Sequence, residues 1–549
     1  MAGACAALWL AVPAYAEEGS LVVVNEDGQS AYYHAYRLFC ADVSPDDEIT
    51  HVSWPSDEMA DAVLTYLDEE GYPAWLEHEH PGDDQHDIAQ NAAEYVSLMI
   101  ADSPEDAGAN TTPPSTEGGS FATGLARHIA SNPELPYEIV EAGHEFVANE
   151  GYWLVVSSPD ELDGTDSAGS SPIWIPLGGS LPVVVEKSAM PSFAKELRTE
   201  VTGTWGHTGD AFRGQQVSYH LSATLPENLD SYEHYHLLLT DTFSTGIALS
   251  ITQETPLQSI VAVSINGKAC LPDSENLSLN YNAGVLTVEF ANLRDSHWDD
   301  YELGGSSVVT VDYQARLVDG ALVGAAGNTN GASMVFSNDP TSEQEGVIEA
   351  VPTKVFCYAL KLQKMSESDS KPLSGASFTI RLAQADGSVG EKAPYLQADG
   401  SLGQLPCEFS TGKDGCVLIE GVGTGTYVVT ETKAPEGFQK TADPITFMVS
   451  SELNDQEQAL VRLSASVKSD SARISSVTAN EGTVTLSIRN KQADTQESTS
   501  NGTSGKSGVE KLAQTGVGPI AGVLVCAGLV LLGISQMFGA RKSPRRYRR

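Results

Sequence analysis

The sequence predicts a mainly β protein. A mixed α/β N-terminal domain is followed by tandem immunoglobulin-like β-sandwiches, with a transmembrane helix at the C-terminus. Three observations carry this expectation. Residues 182–492 are short alternating strands separated by Gly, Asn and Asp turns. Residues 17–181 mix strand-like runs with apolar positions at three- and four-residue spacing. After a polar stalk, residues 517–540 form an uncharged apolar run, longer than the about 20 residues that cross a bilayer.

Taken in order, residues 1–16 end in Ala14-Tyr15-Ala16, the small-x-small site of a cleavable signal peptide, which makes Glu17 the expected mature start. The basic opening usual in such a segment is missing. In residues 17–181, SLVVV, GYWLVVSS and SPIWIPL read as strands. EMADAVLTYLDEEG and DIAQNAAEYVSLMIAD read as amphipathic helices, and residues 103–119, rich in Pro, Ser and Gly, read as a loop. The stretch PTSEQEGVIEAVPT splits the β region into sandwiches over 182–348 and 354–492. Residues 493–511 form a flexible linker. The chain closes on RKSPRRYRR, which would hold the tail on the cytoplasmic side.

A formal net charge of -43 excludes nucleic acid as a partner and favours a self-repelling exterior. Outside the two apolar ends lie Cys40, Cys270, Cys357, Cys407 and Cys416. The odd count argues against a full disulfide framework and for small buried hydrophobes, although Cys407 and Cys416 flank a turn and could pair.

The strands then break a rule. In TYVVTETK, Tyr427, Val429 and Glu431 share one face, so a carboxylate points where the core should be. YALKLQK aims Lys364 inward, and TVTLSIRN aims Asn490 inward. The preceding sandwich repeats the order: Lys195 in PSFAKEL, Asp241 in HLLLTDT and Asn338 in GASMVFSN. One inward polar residue at a strand end is ordinary; six in matching order across two domains have a chemical use. Burial lowers a lysine pKa and frees a nucleophilic amine, and burial raises a carboxyl pKa so that the acid can stay protonated. The amine attacks an Asn carboxamide held beside it, the acid shuttles protons, ammonia leaves and an amide remains.

These residues resemble the sortase-anchored fimbrial subunits of Gram-positive bacteria, whose domains form isopeptide bonds. TYVVTETKAPEGF resembles the E-box of that family. KLQKMSESDSKPLSGASFTI and DGCVLIEGVGTGTY resemble a SpaA/CnaB-type domain, and LLLTDTFSTGIAL with MVFSNDP resembles the fimbrial D2 domain. The resemblance implies Cna-type sandwiches with bonds Lys195–Asn338, relayed by Asp241, and Lys364–Asn490, relayed by Glu431. Leu512-Ala513-Gln514-Thr515-Gly516, before the apolar span and basic tail, is similar to a cell-wall sorting signal, with Ala513 where the commonest motif has Pro. It implies cleavage by a sortase between Thr515 and Gly516 and transfer to a peptidoglycan precursor or another pilin subunit, the membrane being occupied only before sorting. Lys187 occupies the place of the family's polymerising lysine, but Val185-Glu186-Lys187-Ser188 lacks its Tyr, Pro and Asn neighbours.

The expected function is therefore a wall-anchored pilus subunit supporting adhesion, with no cofactor and no turnover chemistry. A non-polymerising adhesin or ancillary pilin is the nearest alternative. A metal-binding or enzymatic N-terminal domain on a β-sandwich stalk is more distant. Its sequence basis is EHEHPGDDQHD, where His78, His80 and His86 lie among acids without a recognised ligand spacing, in what reads as a Pro/Gly loop.

Overall fold

Period-two alternation becomes strand along much of the chain, and among the described residues the strands assemble into six sheets. The computed structural model describes residues 18–493, except 26–30, 45–48, 81–87, 102–117, 159–161, 163–166, 179–182, 187–189 and 252–253. The signal segment, the sorting pentapeptide Leu512–Gly516, the apolar span and Lys187 lie outside the described residues. Among those described, no helix is long and apolar enough to cross a membrane.

The N-terminal domain wraps four helices around a sheet built on the long strand Tyr32–Val43, which pairs with Gly151–Ser157. The two predicted helices are Asp57–Glu69 and Ile88–Ala101, the first capped by the Ser56 hydroxyl accepting from the Met59 amide. Two helices went unpredicted. Gly118–Ala130 begins at the edge of the expected loop, and its Phe121, Leu125 and Ile129 fill the helical core. Tyr72–Glu79 takes up His78, so the expected histidine loop begins inside a helix. A second, three-stranded sheet joins Glu18–Asn25 to Glu145–Asn149 and, in parallel, to Val183–Glu186. The N-terminal domain thus runs four residues past the expected boundary at 182.

The middle domain, D2, is a sandwich of two antiparallel-rich sheets over one apolar core. One sheet carries Ser192–Thr199, Gln216–Thr224 and Val308–Leu317 side by side. The facing sheet carries Leu237–Phe243 between Val285–Phe290 and Asn328–Ser337. The expected break at 340–353 is not a linker. Glu345–Glu349 and Thr353–Phe356 both pair back onto Asn328–Ser337, and Cys357 lies in the D2 core. The third domain, D3, starts at the next residue. Its first strand, Tyr358–Ser366, lies parallel to its last, Thr483–Asn490, in a sheet facing the one that holds Gly425–Lys433.

The two sandwiches are joined by insertion. Phe212, from D2, completes the D3 core beside Tyr427. Asp210 is buried at the same junction and accepts from the hydroxyls of Tyr358 (2.5 Å), Thr424 (3.3 Å) and Ser451, all from D3. Burial pushes its carboxyl above the usual range. From the D3 side, Asp455 accepts from the amides of His207 (2.6 Å) and Thr208 (2.7 Å). Replacing Asp210 by Ala removes the acceptor of three D3 hydroxyls, those of the buried Tyr358 and the half-buried Thr424 and Ser451. We expect urea denaturation to show a loss of about 3 kcal/mol and a D2–D3 transition that splits in two. An unchanged single transition would show that the joint does not couple the domains.

All five cysteines outside the apolar ends are free thiols. Cys270 and Cys357 are buried, while Cys40, Cys407 and Cys416 are half-buried.

Candidate functional sites

Alternation delivers Lys364, Glu431 and Asn490 to one point in the D3 core. The first and last strands sit side by side, with Ser366 opposite Asn490 and Lys364 opposite Ile488. Glu431 descends from the facing sheet. The Lys364 ammonium lies 2.5 Å from Asn490 Oδ1 and 3.1 Å from Glu431 Oε1, and Asn490 Nδ2 donates to the same Oε1 at 2.8 Å. One carboxylate oxygen thus touches both the amine and the amide nitrogen. Thr441 was not expected here. Its amide donates to Glu431 Oε2 (2.6 Å) and its hydroxyl donates to Asn490 Oδ1 (3.0 Å), where negative charge would develop during attack. The Phe378 ring lies 5.3 Å from Lys364 Nζ and helps to exclude water.

Burial lowers the Lys364 pKa to about 8, against the opposing pull of Glu431. About a tenth of such amines are neutral at pH 7, against roughly one in three thousand for an ordinary lysine. The acid departs from expectation. Burial pushes Glu431 up, but the Thr441 amide, Lys364, the Thr441 hydroxyl and Asn490 together hold it below the ordinary carboxylate range. Glu431 therefore rests as an anion beside Lys364.

D2 builds a related site with a different division of labour. Lys195 reaches from one sheet to Asp241 on the other, with Nζ and Oδ1 2.6 Å apart and both side chains essentially inaccessible. Burial lowers Lys195 to about 8 and raises Asp241, so burial moves both toward neutrality. The Tyr313 hydroxyl donates to Asp241 Oδ2, and Asn330 Nδ2 donates to the Tyr313 oxygen at 2.8 Å. Asp241 pairs with Ala332, which places Asn330 two residues along on the same face.

Asn338 is not part of this cluster, and the expected Lys195–Asn338 pairing is corrected. Six residues beyond Ala332, at ~3.3 Å per residue, Asn338 is about 20 Å down the strand from Asp241. Its carboxamide instead donates to the carbonyls of Leu162 and Ser167, both at 3.2 Å, in the N-terminal domain. The Asn338 backbone carbonyl accepts from the Gly169 amide at 2.6 Å. Asn338 ties the first domain to D2. Asn330, Ala332, Met334, Phe336 and Asn338 all share one face, so alternation alone allowed either asparagine.

Among the described residues, the histidine region contributes no comparable centre. His78 bonds the neighbouring Glu79 and His80 approaches Glu94, while His86 lies outside the described residues.

Residues 358–461 match the SpaA family, described as a prealbumin-like fold domain. Among solved structures, the T6 backbone pilin of Streptococcus pyogenes serotype M6, described as a modular three-domain protein, superposes with a TM-score of 0.51 at 15% identity. That superposition covers 87% of this chain and 99% of that one. The chain has a pilin fold. A sequence relative, the trypsin-resistant surface T6 protein of the same organism, is 23% identical over 269 residues, 46% of this chain and 45% of that protein. This pilin-like chain therefore aligns with less than half the length of that relative. The full-length major pilin SpaD of Corynebacterium diphtheriae is also similar, with a TM-score of 0.47, 13% identity, and 87% and 98% of the two chains covered.

Proposed function

We propose that the chain is the structural subunit of a Gram-positive surface pilus, secreted and attached to the cell wall by a sortase acting at Thr515–Gly516, and supporting adhesion. Its D2 and D3 sandwiches would each be locked by an intramolecular Lys–Asn isopeptide bond, Lys195–Asn330 and Lys364–Asn490. The observation that carries this reading is the pair of dry Lys–acid–Asn clusters. An enzyme would expose such groups to a substrate, whereas here both clusters are sealed inside sandwich cores. Each reacts once, on itself. The D2 bond would tie its two facing sheets together; the D3 bond would tie its first strand to its last. Both would resist tension along a filament.

Polymerisation would use Lys187. It is the first lysine in the chain, and only Lys195 and Lys268 occur between it and Lys354. Lys195 is sealed in the core, which leaves Lys187 and Lys268 as the candidates before Lys354 for attack on a neighbouring subunit's Thr515 acyl group.

The intact mass of residues 17–511 tests the cross-links. The expected value is two ammonias below the sequence mass, with branched peptides joining Lys195 to Asn330 and Lys364 to Asn490. A full mass would remove the covalent locks. A ladder of wall-released polymers that disappears on Lys187→Arg would establish polymerisation; a single wall-linked species would make the chain a monomeric adhesin.

A further inference from the structure

The two clusters move protons by different routes, and the difference lies in one side chain. In D3, Glu431 Oε1 contacts Lys364 Nζ and Asn490 Nδ2 directly. In D2, Asp241 Oδ1 faces Lys195 and Oδ2 is engaged by the Tyr313 hydroxyl; Asn330 Nδ2 donates to the Tyr313 oxygen at 2.8 Å and lies near enough to Asp241 to help lower its pKa. Tyr313 belongs to the central strand Val308–Leu317. It is fixed by in-register pairing with Tyr219, whose ring stacks on it with centroids 5.1 Å apart and planes 16° apart. Only 3% of its surface is exposed, so no water substitutes for the phenol.

We propose that the Tyr313 hydroxyl is the proton-carrying link between Asp241 and the departing amide nitrogen of Asn330. D2 would thus use a two-residue relay where D3 uses a single carboxylate. The inference rests on the cross-linking reading given above. The Lys195 ammonium first gives one proton to the Asp241 carboxylate. The freed Nζ lone pair attacks Asn330 Cγ, the new N–C bond forms, and the carbonyl pair moves onto Oδ1. Nδ2 becomes a pyramidal amine with its own lone pair, and the hydrogen bonds reverse direction. The carboxyl group, protonated on Oδ1 by Lys195, turns half a revolution about Cβ–Cγ, so that this O–H donates to the Tyr313 oxygen and Tyr313 O–H donates to Nδ2. As the Cγ–Nδ2 bond breaks, Nδ2 leaves as ammonia with the tyrosine proton, Tyr313 recovers one from Oδ1, and Oδ2, now facing Nζ, accepts the second proton. The products are the Lys195–Asn330 amide, ammonia and a protonated Asp241. No oxidant or other reactant enters.

The chain contains its own control, because D3 has no tyrosine in its relay. Wild type and Tyr313→Phe, which keeps the stacked ring, are made as full chains by cell-free translation. Aliquots are quenched over time and both branched peptides are quantified. The expected result is a D2 cross-link formed at least about 100-fold more slowly, with D3 closing at the wild-type rate. The wild-type D2 rate should slow more in deuterium oxide than the Tyr313→Phe rate, because only the wild type moves a phenol proton as ammonia leaves. A packing defect alone would not produce that difference. Closure of D2 at the wild-type rate in Tyr313→Phe would overturn the relay, as would equal slowing of both domains. Absence of the D2 branched peptide from the wild-type chain would instead remove the cross-link itself.

Discussion

Replacing Glu431 with Gln is expected to leave the protein one ammonia heavier than the wild type and to lower the melting temperature of D3 by on the order of 20 °C. The introduced carboxamide would fill the same space and could still hydrogen-bond Asn490 and Thr441. It could not accept the Lys364 proton, so the amine would stay charged and unreactive. Two losses then add. A cross-link between Lys364 and Asn490 closes a loop of more than a hundred residues, and by analogy with a disulfide such closure stabilises by about 5 kcal/mol. The unreacted ammonium would also remain buried without its carboxylate, itself a cost of several kcal/mol. At a few degrees per kcal/mol for a domain of this size, the two account for the shift. Intact mass and differential scanning calorimetry measure it. If Glu431→Gln loses ammonia as the wild type does, the carboxylate has no part in bond formation.

The second large effect separates two asparagines on the same strand face. Asn330→Ala is expected to abolish the D2 branched peptide while D3 closes normally. Asn338→Ala is expected to leave the D2 cross-link intact and to open the joint with the N-terminal domain, exposing residues 167–171 to protease. Asn338 is fully buried, and removing it would leave the Leu162 and Ser167 carbonyls without their donor, at a cost of about 2 kcal/mol. Peptide mapping of the two variants decides the assignment. A branched peptide containing Asn338 would reverse it.

The D3 cluster was legible because the sequence brings its ends together in an obvious way. Lys364 lies near the end of the first strand and Asn490 at the end of the last, and the two strands are neighbours. Glu431 announced itself by breaking an apolar alternation. D2 was legible only in its lysine and acid. Its last strands fold back as Glu345–Glu349 and Thr353–Phe356, so the strand carrying the asparagines is not the end of the domain, and the residue after it, Asn338, lies away from Asp241. The helix Gly118–Ala130 was hidden by two glycines at its start, which read as loop although its later residues pack as core. Tyr313 and Thr441 gave no signal. A tyrosine in an alternating strand and a threonine in a turn are ordinary until their hydroxyls are placed.

The sequence by itself determined which faces are buried, because side-chain direction along a strand has period two and depends only on parity. That sufficed to place Lys195, Asp241, Lys364, Glu431 and Asn490 inside the sandwiches. Distance along a face depends on register, and register is set by which strands pair. Only the tertiary structure decided that Asn330 joins Asp241, that Asn338 binds the neighbouring domain, and that Asp210 and Phe212 fuse D2 to D3. Parity is local to a strand. Proximity across a core is a property of the whole fold.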